Sequence, residues 1–413
     1  MSFDRERLAG FLGAGAVEAW QPPSAAFAGF LPVGTTVALP QDVEQVQECL
    51  RFAARERLRV LPAGSMEHLH VGGVPGAIDF VLSLRRLNRV LEYEPEDLTM
   101  AAEAGVTLHE IARRSGAAGQ RLAPSPWPGV AATLGGACAA NRSGSCRAST
   151  GTLRDAVLGC KVVHADGSMT RSGGKVVKNV SGYDLPKLYV GSMGSLAMFT
   201  EINVRLVPCP EASAVVQVRL PLESARNKLL TTHRGTLRPA ALVVVHSPGV
   251  HGNVQLLARF EGRESVVRAQ AEACAREWGG EVLAAAADTW EAVERHAEPR
   301  PDAMVLQLAS LPVGVCDLLT AVADTCGNDT SAVALFGVGT CSVQLPRAQA
   351  SSLEALQQRL ATCGGSLRRI EDPGGEWLAP PAQLPALQFE LKALFDPESR
   401  LRPALFAHAE GES

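Results

Sequence analysis

Two adjacent glycines, Gly135 and Gly136, follow a proline-rich loop and begin a run of small residues. Glycine has no Cβ, so a ligand can approach the backbone closely there. Backbone N–H groups at such a turn, and at the start of a helix after it, suit a diphosphate. Ala139 and Ala140 on the next turn leave room for a flat ring system. A tight turn that packs a helix on a sheet would use the same residues, so the pair alone leaves both interpretations open.

Composition limits the class of protein. A chain of 413 residues is long enough for two or three domains of about 150 residues. Its 39 basic and 43 acidic residues give a net charge of -4, which argues against nucleic acid as a partner. The ten cysteines are never closer than eight positions, so the sequence has no Cys-x-x-Cys metal hook and no iron–sulfur cluster run. Acidic residues near the start and prolines in the uncharged stretch 122–141 predict a cytoplasmic protein, at most peripheral on a membrane.

Alternating strand and helix patterns predict an α/β organisation before residue 210. Strand 35–39 precedes a helix that begins after Asp42, and a strand at 59–62 follows. Further along, Thr107 and Glu110 have the spacing of a capping box, and a helix is expected to begin at Ser192.

The Pro208-Cys209-Pro210 segment predicts a domain boundary. We assign residues 1–30 to a lead-in, 31–210 to one domain with subdomains at about 31–95 and 96–210, and 211–413 to a second domain. The second domain has the pattern of an antiparallel sheet with helices on one face, in the ferredoxin-like manner.

The motifs around the double glycine resemble a known family. They are Thr133-Leu134-Gly135-Gly136, Gly151-Thr152-Leu153-Arg154-Asp155, Lys178-Asn179-Val180-Ser181-Gly182-Tyr183-Asp184-Leu185 and Gly191-Ser192-Met193-Gly194. In order and spacing they are similar to the FAD-binding domain of the vanillyl-alcohol oxidase family, also called the PCMH type. The third motif is similar to that of the smaller FAD-binding subunits of bacterial glycolate oxidases.

This resemblance implies an α+β fold: a PCMH-type FAD-binding domain of two α/β subdomains plus a C-terminal α+β (ferredoxin-like) cap domain over the isoalloxazine. It implies a non-covalently bound FAD. Carried over residue by residue, it implies thirteen cofactor-binding positions: Gly64, Ser65, Pro124, Thr133, Leu134, Gly135, Gly136, Ala139, Asn141, Gly151, Asp155, Gly194 and Ile202. A valine at position 135 would then insert two methyl groups where the diphosphate is placed.

The sequence departs from the family pattern at two places. The anion loop reads Pro62-Ala63-Gly64-Ser65-Met66 instead of a glycine-rich run. Since proline has no N–H and alanine resists positive φ, we expect a weakened phosphate-facing wall. The family's C-terminal Asp-Pro…Asn-Pro-Gly segment is represented here only by Asp396-Pro397 and Arg402-Pro403-Ala404. This departure indicates a divergent member.

Catalytic residues are not evident in the sequence. His68 and His70 suit covalent flavin attachment or a metal, but polar packing is the commoner explanation. Cys138 and Cys146 flank the flavin segment, and we expect Cys138 to pack as a small residue. Possible carboxylate binders in the cap are Arg295, Arg300, Arg368 and Arg369, although exposed charged faces would look the same. The cap histidines 233, 246, 251, 296 and 408 show no catalytic spacing.

The resemblance implies an FAD-dependent oxidoreductase, the FAD-binding subunit of a glycolate or 2-hydroxyacid oxidase complex. Its partners would be a larger FAD-binding catalytic subunit and an iron–sulfur subunit. Two alternatives stay open: a non-catalytic assembly subunit that keeps the flavin fold, and an independent FAD-dependent oxidoreductase of another substrate.

Overall fold

The protein is described here from a computed structural model. The structure describes residues 5–22, 30–68, 71, 77–124, 131–174, 183–250, 252–284, 286–298, 300–327, 329–371 and 386–402. Within these ranges no helix combines the length and apolar character needed to cross a membrane.

A small, mostly parallel sheet forms the first layer. Its strands are β1 (Val17–Ala19), β2 (Thr36–Ala38), β3 (Val60–Ala63) and β4 (Phe80–Ser83), in the order β1-β2-β4-β3. Helices α1 (Arg5–Leu12) and α2 (Val43–Glu56) accompany it. The carboxylate of Asp42 accepts a hydrogen bond from the Gln45 N–H and caps α2, as the sequence predicts.

An antiparallel sheet of five strands forms the second layer. Its strands are β5 (Val90–Glu94), β6 (Thr99–Glu103), β8 (Val157–Val163), β9 (Met169–Gly173) and β10 (Met198–Arg205), in the order β5-β6-β10-β8-β9. A separate short pair joins β7 (Gln120–Arg121) to β11 (Val207–Pro208). The helices here are α3 (Leu108–Gly116), α4 (Leu134–Ala139), α5 (Arg147–Thr150), α6 (Leu153–Ala156) and α7 (Pro186–Tyr189).

The helix expected from Ser192 is wrong. Residues 192–196 form turns, and Met193 and Gly194 have φ angles of 57° and 75°. Two consecutive residues in the left-handed region cannot continue a right-handed helix. The turn instead carries Gly194 to within contact of Pro62, since a Cβ on Gly194 would lie 3.0 Å from the Pro62 Cβ.

An eight-stranded antiparallel sheet, here called the cap sheet, forms the second half of the chain. Its strands are β12 (Ala212–Pro221), β13 (Ala241–His246), β14 (Asn253–Gly262), β15 (Glu281–Val282), β16 (Ala303–Ala309), β17 (Ser331–Phe336), β18 (Thr340–Pro346) and β19 (Ser366–Glu371). Its helices are α8 (Leu222–Arg234), α9 (Glu264–Trp278), α10 (Ala286–Arg295), α11 (Val315–Cys326) and α12 (Ser352–Thr362), and α13 (Ala386–Phe395) follows the sheet.

The strand order β15-β12-β14-β13-β17-β18-β16-β19 contains the ferredoxin-like arrangement twice. Each half runs strand, helix, two strands, helix, strand, and the halves join where β13 pairs with β17. The predicted antiparallel, ferredoxin-like sheet is therefore confirmed. Four helices cover one face of it, and α10 packs on the other face through Trp290 and Val293.

The described end of the chain returns to the first half of the molecule. Leu401 is buried in the same apolar core as the first two sheets, and its backbone forms a parallel bridge with Val60. The side chain of Lys392, on α13, donates to the Ser195 carbonyl at 2.8 Å. Residues 386–402 therefore pack with the N-terminal half, although the sequence assigns them to the second domain.

Candidate functional site

A cleft lies where the first small sheet faces the five-stranded sheet. It holds about 670 Å³ of empty space, part of which is open to solvent. Eleven of its twenty lining residues are glycine, alanine, serine or threonine, and the other nine are larger. The lining residues are Pro62, Ala63, Gly64, Ser65, Met66, Glu67, His68, Leu84, Ala104, Thr133, Gly135, Gly136, Ala139, Ala140, Met193, Gly194, Ala197, Met198, Phe199 and Arg402.

The loop after β3 forms one wall of this cleft. Pro62 and Ala63 belong to the strand itself, where an extended backbone suits both residues. The left-handed φ falls on Met66, at 73°. Within the described structure, the N–H groups of Ser65, Met66 and Glu67 donate no hydrogen bond to the chain. Successive unpaired N–H groups around a left-handed residue form an anion-binding concavity. This wall therefore presents three N–H donors, and the weaker phosphate binding expected from Pro62 and Ala63 stays a prediction.

The start of α4 forms the opposite wall, and its N–H groups are already used. Leu134 N donates to Val106 O at 2.8 Å, and Gly135 N donates to Ala104 O at 2.8 Å. Gly136 N donates to the Thr133 hydroxyl, which caps the helix, at 3.2 Å. The sequence predicts diphosphate donors at this turn, whereas among the described residues that line the cleft the N–H groups of the 65–67 loop have no partner in the chain.

The two glycines of α4 have different surroundings. A Cβ on Gly135 would lie 2.7 Å from the Ala104 Cβ and 2.9 Å from its carbonyl oxygen, so this glycine lets the helix pack on the sheet. A Cβ on Gly136 would meet only the Thr133 hydroxyl, at 3.1 Å, and the His68 ring at 4.0 Å. Gly136 is therefore the glycine that leaves the cleft open.

Replacing Gly136 by valine is expected to lower bound flavin severalfold while changing the melting temperature of the flavin-free protein little. Gly135→Ala is expected to lower that melting temperature instead, because its Cβ would clash with Ala104, the residue that follows β6. Flavin absorbance per chain and thermal unfolding of the stripped protein measure the two effects. Gly116→Ala serves as control, because a Cβ there meets nothing within 4 Å. Normal flavin content in Gly136→Val would contradict this placement of the cofactor.

A positive charge in the cleft comes from Arg402, which is distant in sequence from the other lining residues. Arg402 is buried, and its guanidinium donates to Val71 O at 2.6 Å and to Met193 O at 3.4 Å. Burial raises the pKa of Glu67, which lies on the loop wall. A guanidinium beside N–H donors suits a phosphate group.

Seven of the thirteen predicted cofactor-binding residues meet at the cleft: Gly64, Ser65, Thr133, Gly135, Gly136, Ala139 and Gly194. The other six lie away from its wall. Pro124, Leu134 and Ile202 are buried, and Ile202 is a core residue of β10. Asn141 accepts from Arg154 N at 3.3 Å, and Asp155 caps α6 beside Gly151. The assignment of all thirteen to FAD stays a prediction.

Sequence reasoning missed Arg402 and Met193 as cleft residues. Arg402 belongs to the C-terminal segment Asp396-Pro397…Arg402-Pro403-Ala404, which partly matches the family pattern. That partial match was the signal that could have identified it. Met193 has no comparable signal, because it is placed by the unexpected turn at 192–196. Lys178, Asn179 and His70 lie outside the described residues, whereas Tyr183 is described and is 91% exposed.

The two cysteines beside the flavin segment have packing roles. Cys138 is fully buried in the first core, as expected for a small apolar residue. Cys146 packs against the apolar cluster under α10, and burial raises the pKa of its thiol to about 12. A thiol with so high a pKa is a poor nucleophile. Among the described residues, no group of three His, Cys, Asp or Glu side chains could hold a metal ion.

Two cap arginines and one cap histidine that the sequence singles out, and whose side chains are described, contact neighbouring side chains. Arg295 pairs with Glu291 at 3.1 Å, and Arg300 pairs with Asp302 at 3.1 Å. His233 packs edge-on against the Phe336 ring. The side chains of Arg368 and Arg369, and residues 251 and 408, lie outside what the structure describes.

His296 is a buried structural residue of the cap. Its ring nitrogens lie 2.6 Å from Ser342 Oγ and 2.9 Å from Ser331 Oγ. Burial, with a smaller effect of Arg300, lowers the pKa of His296 to about 4. The neutral ring can bond both hydroxyls, one as donor and the other as acceptor.

His296 is expected to make stability fall in mild acid. In the unfolded chain a histidine has a pKa of about 6.5, so the unfolded state binds the proton more tightly. The contribution is complete above about pH 6.5 and is lost as the pH falls towards about 4, up to about 3 kcal/mol. Urea unfolding across that range measures it, and His296→Gln should flatten the profile. An unchanged slope in the variant would contradict this assignment.

The cleft combines a wall rich in glycine and alanine with N–H donors and a guanidinium, and this arrangement suits the diphosphate of a dinucleotide. Residues 35–173 match a family model described as an FAD binding domain. These residues form an FAD-binding domain, and the cofactor that this domain binds is FAD. The cleft fits the diphosphate of this cofactor, with the 65–67 N–H groups and Arg402 as the groups that would hold it.

Curated relatives match part of the chain. Glycolate oxidase subunit GlcD of Bacillus subtilis is 35% identical over 175 residues, which are 42% of this chain and 37% of the relative. Glycolate oxidase subunit GlcE of Escherichia coli is 34% identical over 204 residues, 49% and 55% of the two chains. D-lactate dehydrogenase of Archaeoglobus fulgidus is 36% identical over 211 residues, 50% and 46%. The matches thus span about half or less of these relatives.

The fold is also shared with solved structures. An alkyldihydroxyacetonephosphate synthase superposes with a TM-score of 0.73 over 96% of this chain and 84% of the other, at 16% identity. At that identity the likeness concerns the fold alone. It extends through the cap sheet, beyond the part matched by the family model.

Proposed function

We propose that this chain is the FAD-binding subunit of a 2-hydroxyacid oxidoreductase complex of the glycolate oxidase kind. The relatives named as glycolate oxidase subunits and D-lactate dehydrogenase support the substrate class. The observation that carries the cofactor role is the cleft, whose 65–67 loop keeps three unpaired N–H donors opposite Gly136. When bound, FAD supplies the hydride-accepting ring for oxidation of the hydroxyl carbon.

The chain's own residues have three roles in this proposal. The N–H groups of the 65–67 loop and the Arg402 guanidinium hold the diphosphate. Gly136 and Ala139 are small, so they leave room for the cofactor at the opposite wall. Gly194 allows the turn at 192–196 to contact Pro62. We further propose that the cap covers the isoalloxazine end of the cofactor and excludes water there, which would strengthen electrostatic interactions.

Electron transfer beyond the flavin calls for a partner or a diffusible acceptor. The ten cysteines are all free thiols in the described structure, and their sequence spacing lacks a cluster motif. A larger FAD-binding catalytic subunit and an iron–sulfur subunit are the partners that the proposal implies.

One observation favours an assembly role as the second candidate. Among the described cap residues, the histidines and arginines singled out from the sequence are held by local partners, so no general base is apparent there. A chain without a base could still bind FAD and complete a complex whose larger subunit performs the oxidation.

The purified chain distinguishes these roles. We expect about one FAD per chain, released on denaturation, with absorbance near ~450 nm. A colourless chain that restores activity to its larger partner would instead establish the assembly role. Anaerobic bleaching by glycolate or D-lactate without any partner would establish an independent oxidoreductase.

A further inference from the structure

Arg147 stands at the junction between the FAD-binding part and the cap sheet. It is the first residue of α5, and its guanidinium is partly buried. Nη2 donates to the hydroxyl of Thr340, the first residue of β18, at 3.3 Å. Neighbouring residues fix the contact, because Cys146 packs under α10 and a Cβ on Gly337 would lie 3.9 Å from the Ala148 Cβ. The side chain is therefore held between the two parts of the molecule.

Arg147 differs from the other arginines of this junction in its charge environment. Arg121 and Arg259 both pair with Glu261, at 2.5 Å and 2.8 Å. Among the described residues, no carboxylate lies within ion-pair distance of Arg147. Burial lowers its pKa, and the positive charge of Arg142 lowers it further. A guanidinium removed from water beside a second cation has an unfavourable energy that a bound anion would offset.

The shape of the Arg147 guanidinium indicates what kind of anion it can bind. A guanidinium presents its N–H groups as a planar fork, which matches a carboxylate in two parallel hydrogen bonds. The adjacent Thr340 hydroxyl can bond a second oxygen of the same small molecule. The cap arginines singled out from the sequence whose side chains are described, Arg295 and Arg300, already pair with carboxylates of the chain.

We propose that Arg147 binds the carboxylate of the 2-hydroxyacid at the junction of the FAD-binding part and the cap. This rests on the proposed function for the identity of the acid. The anion site itself follows from the contacts of Arg147, so it can be tested without turnover.

Oxalate, a carboxylate that FAD does not oxidise by hydride transfer, is the probe. Calorimetry on the FAD-loaded chain should detect oxalate binding, and Arg147→Met should weaken it by at least about 30-fold. Arg147→Lys keeps the charge without the fork and should fall between the two. Arg219→Met, at an exposed arginine on β12, should bind as the wild type does.

Stability separates ligand binding from a structural role. Removing a cation that has no counter-charge should leave the melting temperature of Arg147→Met unchanged or higher, whereas a structural arginine would lower it. Oxalate binding that is absent in the wild type, or equal in Arg147→Met, overturns the inference. If oxalate binding depends on Arg147 but neither glycolate nor D-lactate reduces the flavin with or without partners, the anion site stands and the proposed substrate class fails.

Discussion

Replacing Lys392 by methionine is expected to lower the free energy of unfolding by about 3–5 kcal/mol, because a buried carboxylate then loses its cation. Lys392 and Asp396 are 3% and 0% exposed, and their charged atoms lie 2.5 Å apart. The ammonium also donates to Ser195 O at 2.8 Å and to Leu401 O at 2.7 Å. Urea unfolding of the flavin-free protein measures the loss.

The same change should reduce flavin binding. Asp396 accepts from Leu401 N at 2.7 Å, which fixes the chain just before Arg402 enters the cleft. The double variant Lys392→Met/Asp396→Asn removes both charges and keeps an acceptor for that N–H. It should be more stable than Lys392→Met alone, by about 1–2 kcal/mol. Lys228→Met, at a half-buried lysine of α8 whose ammonium donates to the Glu277 carbonyl, is the control and should change stability by no more than about 1 kcal/mol. Equal stability of Lys392→Met and the control would contradict the role of the pair.

The interactions of Lys392 show which contacts cannot be predicted from a sequence pattern. Cap residues such as Asp42 and Thr107 were predicted because their partners lie three positions away, at Gln45 and Glu110. The Lys392–Ser195 bond joins residues 197 positions apart, and neither has a local pattern that names the other. Long-range closure of this kind depends on how whole layers pack.

The structure brings seven of the predicted cofactor-binding residues to one cleft, but the physical surroundings of these residues could not be predicted from the sequence. The double glycine does lie at the site, but Gly135 accommodates the backbone of Ala104, and only Gly136 faces the open space. Proline and alanine in the anion loop predict weaker phosphate binding, and this stays a prediction. The structure continues β3 through Ala63 and places the left-handed residue at Met66. Deciding where a strand ends requires its neighbour β4, which the loop sequence does not contain.

Gly64→Ala is expected to reduce bound FAD to a small fraction of the wild-type content. A Cβ at position 64 would overlap the Thr133 hydroxyl and lie 3.1 Å from both the Cβ and the Cγ2 of that side chain. Threonine is branched at Cβ and caps α4, so it has little freedom to move aside. The clash must therefore push apart the two walls that hold the diphosphate.

A second substitution tests this cause directly. Thr133→Ala removes the hydroxyl and the methyl group, at a cost of about 1 kcal/mol for the lost helix cap. The double variant Gly64→Ala/Thr133→Ala should recover much of the flavin content that Gly64→Ala loses, although each change alone is unfavourable. Such recovery arises only if positions 64 and 133 touch across the cleft, because independent effects would add. A double variant with as little flavin as Gly64→Ala would mean that Gly64 is required for the backbone conformation of the loop and not for its approach to α4.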